Sequence, residues 1–349
     1  MRFVLLRITI AVLITIMTNA GWPGDSRAQS QTLFIPQDAR GYGLAGGGAA
    51  DVSDPSTIRN NAAIASRLRG AYLRGFNGKI GEKRLSGGAL AGGYPVLTRD
   101  AVELSLGGEL RLALLDWGEF PVLYSTGSQA YTIRPRTRAT SFTVAADARF
   151  ARFFHAAAGA TRISWDQRNR DDLPAGIQDF TKAEGSSWDF GFLLTYSKPN
   201  PDGWSFSPGL AWSLRDVSRA LKYSNGLEEE YDSYDVGAVS LLAEGPYAKL
   251  LGTTVPAFSA VLNLDFSTVS SVGLELATYR VGFLRLGFQN EGGHDAKPVT
   301  IGIGARLLIQ QFRVQIDYAL VPFEIINGGG GPINHDNKGA IMVAWIPAE

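Results

Sequence analysis

The segment from Val102 to Leu114 alternates without interruption between two kinds of residue. One parity is apolar or glycine, and the other carries Glu103, Glu109 and Arg111 among small residues. Successive side chains of a strand point to opposite faces, so the pattern predicts a strand with one apolar and one charged face. A tilted strand of about 9–11 residues crosses a bilayer, and this segment is long enough to do so.

The same alternation recurs along most of the chain after residue 68 and predicts about 14 strands. The clearest further segments begin at Phe142, Trp188, Trp204, Phe258, Val299, Phe312 and Gly339. A soluble β-sandwich alternates in the same way. We predict an all-β fold, namely a transmembrane antiparallel up-and-down β-barrel of about 14 strands with a short N-terminal helical, glycine-rich hatch segment.

Connection lengths and tryptophan positions favour the membrane barrel over the sandwich. Long polar connections are expected after alternate strands, near residues 116–138, 166–186, 217–231, 290–298 and 321–337. A long eighth connection, near 247–256, and a short ninth connection break this rule. Five tryptophans stand near predicted strand ends: Trp117, Trp165, Trp188, Trp204 and Trp345. Outer-membrane barrels combine short periplasmic turns, long external loops and aromatic girdles.

The first residues of the chain have the composition of a secretory signal peptide. Arg2 and Arg7 lie beside a short apolar stretch, Ile8–Met17, and small residues precede a predicted cut after Ala28. The alternative, a membrane-anchoring helix, would need about 20 apolar residues. We therefore expect export and residence in the bacterial outer membrane.

Strand patterns begin at about Leu68, which sets the predicted domain organisation. The residues before it are rich in Gly and Ala, and Asp54 before Pro55 suits the start of a short helix. We predict a signal peptide over 1–28, an N-terminal hatch or plug segment over 29–67, and an outer-membrane β-barrel over 68–349.

Composition excludes several other classes of function. Lys and Arg number 33, as do Asp and Glu, so nucleic acid is not an expected partner. The absence of cysteine excludes disulfides and cysteine-ligated metals. His155, His294 and His335 are far apart, so neither a metal site nor a cofactor is expected. We expect no enzyme, although an outer-membrane hydrolase with His155 beside a serine on a neighbouring strand is an alternative.

A glycine motif and an acidic run each match a ligand-binding pattern but have a simpler structural interpretation. Gly41, Gly43 and Gly46 match a dinucleotide-binding spacing, but that motif needs a βαβ unit, and a flexible hatch suits the downstream strands better. The acidic run from Glu228 to Asp232 is either a cation site or, as we expect, a solvated loop.

The stretch Ala39–Ala49, followed by Asp51–Pro55 and Asn61-Ala62-Ala63, resembles the start of the PorV/PorQ and FadL-like outer-membrane proteins. That group has a Gly-rich segment, an acidic stretch and an Asn-Pro-Ala triplet, and Ala62 stands here in the place of the proline. Similar patterns recur near the C-terminus, at 273–276, 284–288, 300–304 and 316–319.

The resemblance implies a barrel of about 14 strands with the N-terminal segment in or against the lumen. It implies either passage of small hydrophobic compounds across the outer membrane or a scaffold or cargo-shuttle role in a type IX-like protein secretion system. The sequence does not choose between these functions. Expected partners are outer-membrane lipid, a small hydrophobic ligand and secretion-system proteins.

The charged parity of the strands supplies the candidate lumen site, because a charge on the lipid face would be costly. Its members, with three residues of the hatch, are Arg40, Gly43, Asn61, Glu103, Glu109, Arg111, Asp147, Arg149, Asp189, Asp265, Glu275, Arg285, Arg306, Arg313 and Asp317. They form either a wall of paired charges that fixes the hatch or a selective permeation path. An external apolar pocket is predicted from loop residues, chiefly Trp117, Phe120, Tyr124, Tyr131 and Phe323.

Overall fold

The computed structural model describes residues 40, 44, 49–50, 61–80, 83–99, 101–116, 120–123, 130–151, 153–169, 180–197, 200, 203–224, 226, 228–231, 233–250, 253–267, 269–291, 299–323 and 336–347. The predicted signal peptide lies outside this set. Among the described residues, no helix is long and apolar enough to cross a membrane.

The described chain consists of one short 3₁₀ helix, Ala62–Arg67, and antiparallel strands. The strands are β1 (Gly70–Ile80), β2 (Lys83–Arg99), β3 (Val102–Asp116), β4 (Phe120–Leu123), β5 (Ala130–Ile133), β6 (Pro135–Phe150), β7 (Phe154–Asn169), β8 (Phe180–Thr195), β9 (Ser205–Tyr223), β10 (Glu228–Tyr231), β11 (Tyr234–Glu244), β12 (Tyr247–Leu250), β13 (Thr253–Pro256), β14 (Phe258–Phe266), β15 (Val269–Thr278), β16 (Gly282–Glu291), β17 (Val299–Ile309), β18 (Phe312–Phe323) and β19 (Asp336–Trp345).

The sheet closes on itself. The pairing runs β1-β2-β3-β6-β7-β8-β9-β11-β14-β15-β16-β17-β18-β19, and β19 returns to β1. These strands form a barrel of fourteen within the described part of the chain, while β4–β5 and β12–β13 are separate hairpins and β10 extends β9. The prediction of an all-β barrel with about that many strands is confirmed.

The two faces of the wall have opposite chemistry. On β3, Glu103 and Glu109 point inward and are nearly inaccessible, whereas Leu106, Leu110 and Leu114 point outward and are almost half exposed. The same division holds around the barrel, and the outward apolar side chains form a continuous apolar belt. Such a belt is shielded from water only by lipid.

The two ends of the barrel also differ. The connections at 100–101, 151–153, 279–281 and 310–311 are short and lie at the end that carries Gly70 and Trp345, here called the turn end. The long sequence intervals 117–134, 170–179, 292–298 and 324–335 separate barrel strands whose adjoining ends lie at the opposite end of the barrel, here called the loop end. Short turns face the periplasm in bacterial barrels. The expected exceptions are confirmed: the β12–β13 hairpin lies at the turn end, and β14 and β15 are joined by a short link at the loop end.

Four strands extend further than the sequence pattern predicts. β6 and β8 begin at Pro135 and Phe180, and β7 and β9 continue to Asn169 and Tyr223, so the predicted loops 116–138, 166–186 and 217–231 are partly strand. The outward side chains of these extensions are charged, so apolar alternation stops where the belt stops although pairing continues. The same holds for the acidic run, because Glu228–Tyr231 is a paired strand rather than a loop.

Trp188 corrects the predicted relation between tryptophans and strand ends. It lies in the middle of β8, with its side chain outward and 56% exposed. Phe190 follows it toward the turn end, whereas Glu184 and Ser186 precede it toward the loop end. Trp188 therefore marks the upper edge of the apolar belt rather than the end of a strand.

The β8–β9 pairing contains the irregular part of this region, here called the β8–β9 seam. The register slips on both sides of the Trp188–Val217 pair, so that β9 carries extra residues. Asp216 and Ser218 have φ angles of 57° and 55°, a left-handed conformation that is uncommon for residues other than glycine. The seam is a double β-bulge in an otherwise regular wall.

Candidate functional site

The described part of the predicted hatch lies inside the barrel. Arg40, Leu44, Ala49 and Ala50 are buried, as is most of the 3₁₀ helix. The Ala49 N–H donates to Asp265 Oδ2 on β14 at 3.3 Å, and Ser240 Oγ on β11 donates to the Ala50 carbonyl at 2.6 Å. The N-terminal segment is therefore attached to the inner wall by its own backbone.

Asn61 connects three parts of this assembly. Its Oδ1 accepts the Ala63 N–H at 2.9 Å and so caps the 3₁₀ helix. Its Nδ2 donates to the Ala49 carbonyl at 3.0 Å and to the Phe192 carbonyl of β8 at 3.2 Å. Because Asn61 is fully buried, one side chain joins the helix, the preceding segment and the wall.

Four wall glycines, here called the docking glycines, receive the N-terminal segment: Gly93, Gly107, Gly191 and Gly273. A Cβ at Gly107 would lie 3.0 Å from Ala65 Cβ, and one at Gly273 would lie 2.9 Å from the Leu44 carbonyl oxygen. A Cβ at Gly191 would overlap Asn61 Oδ1, and one at Gly93 would overlap the Leu68 carbonyl. Glycine leaves the wall without side chains at these positions, so the backbone of the segment can pack close to it.

Arg40 anchors the segment to a buried ionic network on β15–β18. Arg40 Nε and Nη2 donate to the two oxygens of Glu275 at 2.9 and 3.1 Å. Arg285 Nε donates to Glu275 Oε2 at 2.6 Å, and its Nη1 donates to Asp317 Oδ1 at 2.6 Å. Gln315 extends the network from Asp317 to Arg306 at 2.7 and 2.8 Å. Glu275 is thus shared by two arginines.

A second ionic network lies near the turn end. Glu103 accepts from Arg69 Nη2 at 3.1 and 3.2 Å and from Arg149 Nη2 at 2.7 Å. Ser105 Oγ donates to the same carboxylate at 3.3 Å. Because Arg69 lies between the 3₁₀ helix and β1, Glu103 holds the C-terminal side of the hatch.

Smaller polar groups occupy the rest of the inner wall. Thr161 Oγ1 donates to Asp189 Oδ2 at 2.6 Å, and the Asp216 N–H donates to Asp189 Oδ1 at 3.0 Å, so this carboxylate replaces a backbone acceptor lost at the seam. Glu109 pairs with Arg111 on the same strand. The charges are thus distributed as separate paired groups around the wall.

His155 occupies a position that the sequence did not indicate. Its Nδ1 lies 3.2 Å from Asp147 Oδ2 on the inner face, and the residue is 3% exposed. His155 is therefore a buried residue of the inner wall beside a carboxylate, and it does not form a Ser–His pair on the outer surface of the barrel. His294 and His335 lie outside the described residues.

The predicted lumen residues divide into those that the structure brings to the hatch and those that it does not. Arg40, Asn61, Glu103, Asp265 and Glu275 contact the hatch or its link to β1. The remaining described members lie elsewhere on the inner wall: Glu109, Arg111, Asp147, Arg149, Asp189, Arg285, Arg306, Arg313 and Asp317. Gly43 lies outside the described residues. Both alternatives for the charged wall therefore stay predictions.

The predicted external pocket is not described. Trp117 and Tyr124 lie outside the described residues, and Phe120, Tyr131 and Phe323 are described only as backbone of β4, β5 and β18. Sequence reasoning missed Arg69, Ser240 and the role of the docking glycines. A signal for the glycines was available, because Gly107 and Gly191 stand on the otherwise polar parity of their strands.

No family model matches the chain, and no curated protein matches it in sequence. The observation that decides the class of protein is the closed antiparallel barrel, with an apolar belt outside and an ionic interior. The chain is an outer-membrane β-barrel. The resemblance to PorV/PorQ and FadL-like proteins depends on the sequence stretches quoted above.

Solved structures of similar fold include two toluene transporters and an autotransporter domain. TodX of P. putida has 7% identity and a TM-score of 0.49, with 90% of this chain and 100% of that chain covered. TbuX of Ralstonia pickettii has 11% identity and a TM-score of 0.47, with 90% and 99% covered. The β domain of the Bordetella autotransporter BrkA has 13% identity and a TM-score of 0.41, with 80% and 99% covered. The similarity is one of fold.

Proposed function

We propose that this outer-membrane barrel transports small hydrophobic compounds and that its N-terminal segment is the hatch. The observation that carries the proposal is where the segment lies. The 3₁₀ helix packs against β2, β3, β6, β7 and β8. Ala50, Ala49 and Arg40 contact β11, β14 and β15, respectively. A solute that crosses the barrel must pass this segment or displace it.

The chemistry of the hatch suits displacement. Five of its nine described buried residues are alanines, namely Ala49, Ala50, Ala62, Ala63 and Ala65, and two are larger apolar residues, Leu44 and Ile64. Burial contributes about 0.8 kcal/mol per CH₂ group, so alanines hold a segment less firmly than leucines would. The attachment depends instead on a few polar contacts at Arg40 and Asn61. Such contacts can break one after another.

The loop end of the inner wall supports an apolar substrate. Phe76, Leu85 and Leu115 form a buried cluster there with Ala113 and Ala340. The inner wall near Glu103 and Asp147 is polar, so this cluster is an apolar surface at the external mouth. Binding sites for small apolar ligands combine such surfaces with a few placed polar groups.

A reversible cross-link tests whether passage requires hatch movement. The chain has no cysteine, so the double variant Ala65→Cys/Gly107→Cys carries the only thiols. The ideal Cβ at position 107 lies 3.0 Å from Ala65 Cβ, so the two thiols form a disulfide after a shift of about 0.5 Å to the usual Cβ–Cβ spacing of about 3.5–4.5 Å. Uptake of phenylnaphthylamine by cells that express the variant should fall on oxidation and recover on reduction.

The single variants Ala65→Cys and Gly107→Cys are the controls; Gly107→Cys also reports any effect of a side chain at a docking glycine, and uptake by neither should respond to oxidant. A heat-modifiability gel establishes that each variant forms a barrel. Uptake that stays the same when the hatch is locked would contradict the proposed route. Deletion of residues 29–67 should raise uptake, and equal, negligible uptake with and without them would refute transport. The secretion role stays a prediction.

A further inference from the structure

A depression of about 330 Å³ lies on the outer surface of the barrel beside the β8–β9 seam. It faces away from the lumen and is separate from the hatch. Its lining residues come from β7, β8, β9 and β10: Arg162, Glu184, Gly185, Ser186, Ser218, Ala220, Lys222 and Glu228. The volume is within the range of small-ligand sites, about 300–1,000 Å³.

The seam creates the space. On both sides of Trp188 the register slips, and Ser218 adopts a left-handed conformation with φ 55°. A bulge leaves its extra residue unpaired and bends the strand. Three of the lining residues are small, namely Gly185, Ser186 and Ala220. The recess therefore lies where a double bulge and small side chains occur together.

The rim carries alternating charges in weak pairs. Arg162 Nη2 lies 3.0 Å from Glu184 Oε2, and the two side chains are 73% and 58% exposed. Lys222 Nζ lies 3.7 Å from Glu228 Oε2, and these side chains are 73% and 51% exposed. Exposed pairs of this kind contribute little to stability. Each cation is therefore available to exchange its carboxylate for a phosphate, which accepts stronger charge-assisted hydrogen bonds.

The position of the depression along the barrel axis, relative to the apolar belt, shows which part of the membrane surrounds it. Ser186 is two residues from Trp188 on the same face of β8, on the side toward the loop end. Trp188 marks the edge of the apolar belt, and exposed tryptophans lie at the level of lipid headgroups. The loop end faces the cell exterior in barrels of this type. The depression thus lies at the headgroup level of the outer leaflet.

We propose that this depression binds the phosphorylated sugar headgroup of an outer-leaflet glycolipid. The phosphate lies between Arg162 and Lys222, and sugar hydroxyls donate to Glu184 and contact Ser186 and Ser218. A cation pair alone would accept any anionic lipid. The carboxylates and hydroxyls on the same rim select a headgroup that carries both phosphate and sugar.

Native mass spectrometry of the full-length protein in detergent tests this assignment. The probes are lipid A with its phosphates, the same lipid after enzymatic dephosphorylation, and phosphatidylglycerol. The test variant is Arg162→Gln/Lys222→Gln. The matched control is Arg138→Gln, which removes an exposed arginine from the outer face of β6 outside the depression. A heat-modifiability gel confirms that both variants form barrels.

The unchanged protein should retain phosphorylated lipid A at least about tenfold better than either other probe, and the double variant should lose at least about tenfold in affinity. The Arg138→Gln variant should bind like the unchanged protein. Equal loss in both variants would mean that general surface charge attracts the lipid and would overturn the site. Equal binding of phosphatidylglycerol, or no loss in the double variant, would overturn it as well.

Discussion

Substitution of Arg40 by alanine should release the N-terminal part of the hatch without unfolding the barrel. Arg40 contributes two charge-assisted hydrogen bonds to Glu275, at 2.9 and 3.1 Å. Glu275 keeps Arg285 at 2.6 Å when Arg40 is removed, so the carboxylate does not become an unpaired buried charge. The loss therefore falls on hatch attachment and amounts to about 1.5–3 kcal/mol.

A single introduced thiol reports this equilibrium. Ala49 is 3% exposed and is attached to Asp265 in the docked hatch, and the natural chain has no competing cysteine. When docking and undocking are fast relative to labelling, the maleimide reaction of Ala49→Cys follows the undocked population. Adding Arg40→Ala should therefore raise its labelling rate by roughly ten- to a hundredfold.

The conservative variant Arg40→Lys keeps the charge but not the two-pronged geometry, so its labelling rate should lie between the two. The heat-modifiability of all three proteins should be the same. A labelling rate unaffected by Arg40→Ala would refute the idea that this ion pair holds the hatch. Equal loss of the folded barrel would show instead that Arg40 stabilises the wall.

Two further substitutions test the docking of the segment and the stability of the β8–β9 seam. Gly191→Ala should displace Asn61 and raise the labelling rate of Ala49→Cys at least about fivefold. Gly108→Ala is the control, because its Cβ would meet its nearest neighbour at 3.8 Å, and it should leave the labelling rate unchanged. Equal labelling rates in the two variants would contradict the docking role of Gly191. Asp189→Ala removes the acceptor for the Asp216 N–H and should destabilise the barrel by about 1–3 kcal/mol, measured as a lower unfolding temperature in detergent; an unchanged temperature would show that water replaces the carboxylate.

The wall of the barrel could be predicted from sequence because lipid imposes a simple rule. The parity that the sequence assigned to Glu103 and Arg111 is the buried inner face in the structure. The rule fails above the apolar belt. Arg162 and Glu184 point outward there, since headgroups and water rather than hydrocarbon cover that part of β7 and β8, and the polar pattern around Glu184 was interpreted as loop.

The attachment of the hatch could not be predicted in the same way. Alternation assigns a residue to a face but not to a height or a partner, and Arg40 is 235 positions from Glu275 in the chain. The register between β14 and β15 places Gly273 beside Asn263, under Leu44. The residues next to Gly273 in sequence give no sign of this contact. Sequence indicated which side chains enter the interior, while their pairing depends on closure of the sheet.

Unequal strand length gives the barrel a slanted rim. β6, β7 and β8 each have 16 residues, whereas β15 and β16 have 10, a difference of about 20 Å along the strand direction. The wall formed by β6–β8 extends further above the bilayer than the wall formed by β15 and β16, where the edge of the sheet lies near the membrane surface. For the transport that we propose, a hydrophobic compound at the membrane surface therefore reaches the mouth over a lower wall at β15–β16 than at β6–β8.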